Sequence, residues 1–144
     1  MSYEAGAALQ TAVYLALRTD PTLVALVGDA VFDAMPVTAP SGPYVALGAE
    51  DVVDAGDMTG RGTRHDFVVS VLSGADEGGG GFAVVKAAAG AVAGALENGA
   101  VVLEQGHLAG LWFVSARARR TEGGTGRRVD MVFRARIDLG LNVA

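Results

Sequence analysis

The sequence predicts a single α+β domain over residues 1–144, in which helices pack on one face of an antiparallel β-sheet. Residues 127–139 alternate apolar and polar side chains with the strand period of two, the strongest such pattern in the chain. The glycine-rich stretch TEGGTG at 121–126 joins them to a second alternating segment, as in a hairpin. Apolar side chains recur at helical spacing in residues 7–20 and 82–99. With 51% hydrophobic and 19% charged residues, the chain is predicted to be ordered.

Two helices are predicted ahead of residue 30. The first covers residues 7–20, where one stripe of the helix surface is apolar. This stripe comprises Leu9, Ala12, Val13, Ala16 and Leu17. The second helix begins at Pro21, because the Asp20 side chain can accept the free N–H groups of its first turn. It ends at Gly28, since glycine tolerates the left-handed conformation of a helix stop.

Strands and one loop are predicted for the middle of the chain. Residues 30–37 form a short strand that ends at Pro36, and a longer strand begins after Pro43. Residues 49–64 are polar, acidic and rich in glycine, which predicts a loop or the frayed end of a hairpin. Residues 65–74 form the next strand, and both of its faces are mostly apolar. We therefore expect this strand in the interior of the sheet or at an interface.

A glycine run precedes the third predicted helix. The four glycines at 78–81 are interpreted as a flexible hinge, because neither known phosphate-binding pattern of glycines is present. The helix covers residues 82–99 and ends at Asn98 and Gly99. Its apolar positions are Phe82, Val85, Ala89, Val92 and Leu96.

The last two strands are predicted to form a hairpin with one apolar and one charged face. Strand parity places Trp112, Val114, Ala116 and Ala118 together in the segment up to residue 120, with Ser115, Arg117 and Arg119 opposite. In residues 127–139, the apolar face comprises Val129, Met131, Phe133, Ala135, Ile137 and Leu139. If the hairpin turns at residues 123–124, Arg119 lies near Arg128 and Arg117 lies near Asp130. Phe67, Trp112 and Phe133 are the predicted large anchors of the core.

Composition and charge exclude several classes of protein. A net charge of −5 and a pI near 4.8 argue against binding of nucleic acid by the whole surface. The absence of cysteine excludes disulfides, thiolate metal sites and a cysteine nucleophile, and is typical of a reducing compartment. The first residues lack the basic segment of a signal peptide, and the longest apolar run is about half of a membrane span. We expect a soluble, cytoplasmic protein that does not contact membranes.

Neither a catalytic nor a metal site is predicted. Asp51, Asp54 and Asp57 lack the spacing of a calcium loop, so they are interpreted as solvated or as part of a contact surface. His65 and His107 are interpreted as structural, since zinc would need further ligands. A hydrolase that uses His65 with Asp66 or Ser70 is disfavoured, because no nucleophile elbow is present. We expect no cofactor and no enzymatic activity.

Arginine is concentrated in the C-terminal hairpin. Seven of the ten arginines fall within residues 115–138, namely Arg117, Arg119, Arg120, Arg127, Arg128, Arg134 and Arg136. Such a ribbon could bind nucleic acid, could be solvated, or could contact carboxylates of another protein. The interleaved acids Glu122, Asp130 and Asp138, and the expected position of Trp112 on the apolar face, favour a protein contact. The predicted counterparts are Asp51, Asp54 and Asp57 of another copy.

The order of several short segments resembles the tail completion (tail terminator) family of long-tailed bacteriophages, which also occurs in gene transfer agents. These segments are LVGDAVFD at 26–33, PYVALG at 43–48, HDFVVSVLS at 65–73 and FRARID at 133–138. The resemblance covers the chain from about residue 9 to residue 138. It brings no catalytic motif with it.

The resemblance implies a structural virion protein located at the head–tail junction and assembled in the bacterial cytoplasm. Such proteins form a ring, typically of six copies, that ends polymerisation of the tail tube. The implied partners are other copies of the chain, the tail tube protein and the head–tail connector or stopper protein. DNA would pass through the ring without specific binding. A nucleic-acid-binding module that uses the arginine hairpin is the alternative.

Overall fold

The computed structural model describes residues 3–75, 81–99, 101–121 and 126–141. Its helices are α1 (Gly6–Thr19), α2 (Pro21–Val27) and α3 (Gly81–Glu97). Its strands are β1 (Val31–Phe32), β2 (Tyr44–Asp54), β3 (Gly60–Leu72), β4 (His107–Arg120) and β5 (Arg127–Leu141). The α+β class is confirmed. The predicted hinge at 78–80 and the hairpin turn at 122–125 lie outside the described residues.

The five strands form one sheet in the order β1-β2-β3-β5-β4. All neighbours pair antiparallel except β1, which pairs parallel with β2 through Val31 and Phe32 alone. The sheet is therefore mostly antiparallel, and the predicted strand at 30–37 is reduced to two residues. Strand β3 lies at the centre, as the apolar character of both its faces predicted.

Helices α1 and α2 form where their sequence signals placed them. The Asp20 carboxylate accepts a hydrogen bond from the Leu23 N–H at 3.0 Å, and Pro21 occupies the first turn of α2. Gly28 ends α2 with φ of 63°, a conformation that residues with a Cβ adopt at a cost. The buried stripe of α1 includes Leu9, Val13 and Leu17, as predicted.

The core lies between the three helices and one face of the sheet. Phe133 on β5 is fully buried at its centre. Its ring stacks against Phe67 of β3 and meets the Phe113 ring of β4 edge-on, each at a centroid distance of 5.9 Å. The alternation predicted for β5 is confirmed, because Val129, Met131, Phe133, Ala135 and Ile137 are all buried.

The acidic segment is mostly strand rather than loop. Strand β2 continues to Asp54 and β3 begins at Gly60, so only residues 55–59 form the connection. Pairing of Asp51 with Asp66 and of Asp54 with Thr63 continues the ladder into the predicted loop. The Asp57 carboxylate closes the turn by accepting hydrogen bonds from the N–H groups of Thr59 and Gly60. Cross-strand pairing thus overrides the low strand propensity of these residues.

Strand β4 departs from simple alternation, and the prediction that Trp112 anchors the core is wrong. Two bulges, at Ala109 and Val114, each add one residue to β4 relative to β5. The bulge at Val114 reverses the parity of the residues before it, so Trp112 pairs with Arg134 on the face away from the helices. Trp112 is 41% exposed. Phe113 occupies the core-facing side in its place.

Candidate functional site

The face of the sheet opposite the helices carries most of the candidate arginines, and we call it the open face of β3, β5 and β4. The strand register directs five candidates to this face: Arg117, Arg119, Arg128, Arg134 and Arg136. Arg120 and Arg127 form a cross-strand pair on the other side. There the Arg127 guanidinium lies 5.4 Å from the centroid of the Phe82 ring at the start of α3. The candidate arginines therefore do not form one continuous surface.

Asp130 neutralises the arginines at one end of the open face. Arg119 and Arg128 lie opposite each other, and Arg117 lies opposite Asp130, as the hairpin prediction required. The Asp130 carboxylate accepts hydrogen bonds from Arg128 Nη2 at 2.7 Å and from Arg119 Nε at 3.2 Å. Ser70 Oγ donates a third at 2.6 Å. Carboxylate and arginines thus form an intramolecular network, which offsets the repulsion between Arg119 and Arg128.

The environment of Asp130 favours its ionised form. Burial opposes ionisation, but the hydrogen bonds from Arg128 and Ser70 outweigh it, so the pKa of Asp130 is lowered. At neutral pH the carboxylate is therefore a fixed negative charge. It has no capacity to donate a proton in this state.

Asp66 and Arg134 form a second ion pair on the open face. Arg134 donates from Nε to Asp66 Oδ1 at 2.8 Å and from Nη2 to Oδ2 at 3.0 Å, which is the bidentate geometry of strong arginine–carboxylate pairs. The hydrogen bonds from Arg134 lower the pKa of Asp66. Asp66 was absent from the predicted site. Only the pairing of β3 with β5 shows that it faces Arg134, and periodicity within one strand cannot supply that register.

The predicted acids do not gather in one loop. Asp51 and Asp54 are exposed on β2, while Asp57 lies in the turn after it. Backbone hydrogen bonds from Thr59 and Gly60 lower the pKa of Asp57. Arg136 approaches this turn and donates from Nη2 to the Ala55 carbonyl at 2.6 Å. Asp57 and Arg136 therefore stabilise the hairpin end of their own chain.

Arg117 and Arg120 differ from the other candidates. Both are exposed on β4, and within the described residues neither makes a hydrogen bond or an ion pair. The sheet separates them from Asp51 and Asp54, because β2 and β4 lie on opposite sides of the β3–β5 pair. Contact between these arginines and acids within one chain is excluded. Contact between copies remains a prediction.

Trp112 gives the open face one feature in common with nucleic-acid-binding surfaces. The predicted absence of an aromatic side chain among the arginines is wrong, since Trp112 lies beside Arg134 on the open face. Aromatic side chains among basic ones are typical of single-strand-binding surfaces. Asp66 and Asp130, however, pair with the nearest arginines and reduce the positive charge of this face.

His65 has a structural role, as predicted. It is fully buried on β3, with Nδ1 3.0 Å from Glu50 Oε2 and Nε2 2.9 Å from Thr63 Oγ1. Because the carboxylate can only accept, Nδ1–H donates to it, and in a neutral ring Nε2 then accepts from the Thr63 hydroxyl. The Tyr3 hydroxyl donates to the same carboxylate at 2.6 Å. This chain of hydrogen bonds ties the N-terminal segment to the sheet.

His107 and Ser70 are the other side chains that were considered for chemistry. His107 is exposed at the first position of β4. Ser70 Oγ belongs to the Asp130 network and also accepts from Arg128 Nη2 at 3.3 Å. Among the residues that the structure describes, no cluster of three or more histidine or acidic side chains is arranged to hold a metal ion. In the same residues, no helix is long and apolar enough to span a membrane.

Replacing Asp130 with asparagine should make the acid stability of the chain less steep. The lowered pKa means that Asp130 stabilises the fold above its unfolded pKa of about 4, and that this contribution disappears as pH falls through the lower folded value. We expect Asp130→Asn to lose about 1–2 kcal/mol at pH 7 and to approach the wild type as pH falls below the folded pKa of Asp130. Urea unfolding at several pH values measures this.

Glu104→Gln is the matched control for this measurement. Glu104 is exposed and makes no ion pair with the other described residues. An equal loss of stability in both variants would contradict a specific role of the Asp130 network.

Comparison with known proteins relates the chain to one protein family. Residues 11–138 match the family described as tail completion protein gp17. A chain in a solved structure, described as the virion of a native gene transfer agent (GTA) particle, is 54% identical, with a TM-score of 0.84. That alignment covers 95% of this chain and 99% of the other. No curated protein matches.

A second solved structure, the type 4 fimbrial biogenesis protein PilO from Pseudomonas aeruginosa, is 8% identical, with a TM-score of 0.34. The alignment covers 68% of this chain and 58% of PilO. A likeness at this TM-score supports no conclusion about the fold or function of this chain.

Proposed function

The chain belongs to the tail completion protein gp17 family, and from this premise we propose that it forms a ring capping the head-proximal end of the tail tube. It is a structural protein of the virion. The observation that carries the proposal is the 54% identity, over 95% of the chain, to a component of a gene transfer agent particle. In this role the ring ends polymerisation of the tube and joins the tail to the head-side connector. Six copies would complete it.

The charge chemistry of the chain supports a role in assembly rather than catalysis. Asp66 and Asp130 are held ionised by arginines, so they serve as fixed charges. His65 is fully buried, and its two ring nitrogens are engaged by Glu50 and Thr63. The exposed Arg117 and Arg120 are suited to bind carboxylates of neighbouring proteins. We propose that these proteins are other copies, the tail tube protein and the connector or stopper.

The ring would also let DNA pass without holding it. The net charge of −5 disfavours tight binding to phosphates, and the carboxylates of Asp66 and Asp130 offset part of the positive charge of the open face. Weak contact is what passage through a lumen requires.

Deleting the gene from a particle-producing strain tests the proposed function. We expect tails of irregular excess length and heads without tails, because nothing would stop the tube or join it to the connector. Negative-stain electron microscopy of the particles measures both. Complementation with the wild-type gene is the control. Particles of normal length and normal joining from the deletion strain would refute the proposal.

Nucleic-acid binding by the open face is the second candidate function, and the exposed Trp112 beside Arg134 is the observation that favours it. Binding through phosphates would give an affinity that falls steeply with salt. Titration of labelled single-stranded and duplex DNA with the purified chain, at low and physiological salt, distinguishes the two functions. If the chain acts in assembly alone, we expect no DNA binding beyond a weak association at low salt.

A further inference from the structure

Strand β4 forms a long, open edge of the sheet. It spans His107–Arg120 and is last in the strand order, so no strand among the described residues pairs with its outer side. From Trp112 to Arg120 every residue is exposed. The Phe113 N–H is held by the Glu97 carboxylate at the end of α3, at 3.3 Å. The residues beyond it, 114–120, are the open part, and we call them the basic edge.

Open edges of this length invite pairing with another strand, and monomeric proteins usually shorten or cover them. The basic edge carries Arg117, Arg119 and Arg120, and no residue of β4 is acidic. Pairing of two basic edges would set arginines against arginines, which is unfavourable. The charge of this edge therefore selects against a symmetric dimer through β4 and in favour of an acidic partner strand.

The opposite end of the same sheet has the required charge. Strand β1 pairs with β2 at Val45 and Ala46, and in the described part of the chain no strand pairs with the remainder of that side of β2. We call residues 29–33, which contain β1, together with residues 47–54 of β2, the acidic edge. Its exposed acids are Asp29, Asp33, Asp51 and Asp54, and neither β1 nor β2 contains lysine or arginine.

We infer that the basic edge of one copy pairs with the acidic edge of the next, so that the sheets of neighbouring copies are joined by backbone hydrogen bonds. The strand directions agree with this arrangement. Strand β4 runs antiparallel to β5, and β5 runs in the same direction as β1 and β2, because β3 lies antiparallel to both β2 and β5. A second copy that continues the sheet in the same orientation therefore presents an antiparallel partner to β4.

This pairing is heterologous, since two different edges meet, and repeated rotation closes such contacts into a ring. Closure also covers the basic edge and the acidic edge of every copy. The inference rests on the proposed ring and adds the segments that join its subunits. It also assigns Asp51 and Asp54 to the partner strand of Arg117 and Arg119.

Cysteine cross-linking within assembled particles tests the inference, because the natural chain contains no cysteine. Ser115→Cys on the basic edge is combined in turn with Asp33→Cys, Asp51→Cys or Val53→Cys on the acidic edge. All four side chains are exposed. A short bismaleimide is added to purified particles, and the chain is detected by antibody on a denaturing gel. Three positions are used so that the highest yield identifies the register.

We expect at least one combination to give a ladder at multiples of the 14.6 kDa chain mass. Ser115→Cys alone should give none, and dimers from this single variant would show that two basic edges meet, which overturns the inference. Intact particles without a ladder from any combination would also overturn it, while leaving the ring proposal in place. Absence of the chain from wild-type particles would instead refute the proposed function.

Hydrogen exchange of the unaltered chain gives a second, independent measurement. Those amides of residues 115–120 that point away from β5 should exchange at least tenfold more slowly in particles than in the dissociated chain. Equal exchange in the two states would contradict strand pairing even if the cysteine variants failed to assemble.

Discussion

Reversing the charge of Arg117 and Arg120 together is expected to lower the yield of joined particles by about a hundredfold. Both side chains are exposed and make no ion pair with the other described residues, so the fold of the variant should be unchanged. If they face carboxylates of a neighbouring copy, the glutamates would create like-charge contacts costing several kcal/mol, and each 1.4 kcal/mol is about tenfold in affinity. Electron microscopy of particles carrying Arg117→Glu/Arg120→Glu measures the yield.

Two further variants separate a specific contact from an effect of net charge. Lys86→Glu changes an exposed cation on α3, which belongs to neither sheet edge, and should leave the yield unchanged. Adding Asp51→Arg and Asp54→Arg to the arginine variant exchanges the charges of the two edges and should restore part of the loss. Wild-type yield from Arg117→Glu/Arg120→Glu would show that these arginines do not contribute to assembly.

Truncating Phe133 should produce the largest loss of stability of any single core substitution. Phe133 has no exposed surface and contacts two further phenylalanine rings, so Phe133→Ala leaves a cavity bounded by β3, β4 and the helices. We expect the free energy of unfolding to fall by about 3–5 kcal/mol. This is a large part of the total stability of an ordinary domain, about 5–15 kcal/mol. Urea denaturation of the purified chain measures the difference.

Phe113→Ala is the matched control for that substitution. It removes the same side chain from the same aromatic cluster, but Phe113 is 41% exposed on the edge strand. We expect a loss of about 1–2 kcal/mol, since solvent can fill the space and less apolar surface is uncovered. Equal losses at the two positions would mean that Phe133 is not the centre of the core.

The success of sequence-based prediction differed between local and non-local features. The helix signals at Asp20, Pro21 and Gly28 act within one turn of chain, and they were sufficient to define α2. The alternation in β5 likewise identified Phe133 as buried. The acidic segment was assigned to a loop because its composition disfavours strands, whereas pairing with β3 extends β2 to Asp54. Strand pairing is a property of two segments, so neither segment shows it alone.

Only part of the candidate site could be predicted, because the rest depends on the pairing of distant strands. Hairpin symmetry correctly placed Arg117 opposite Asp130 and Arg119 opposite Arg128. It could not show that Asp66 pairs with Arg134, because β3 and β5 are far apart in sequence. Nor could it show the bulge at Val114, which turns Trp112 outward without any glycine or proline to indicate it.

The bulge at Val114 changes which face of the sheet the odd-numbered and even-numbered residues of β4 occupy. After the bulge, the odd-numbered Arg117 and Arg119 lie on the open face. Before it, the even-numbered Trp112 lies on that face, and Phe113 lies on the core side. Deleting Val114 would remove the bulge and leave one continuous alternation, with Trp112 on the open face and Phe113 on the core side as they are now. In an alignment of relatives, a gap at this position would therefore be compatible with the same two faces of β4. Val114 thus separates the arginine-bearing part of β4, which we propose to bind another copy, from the part in which Phe113 faces the core.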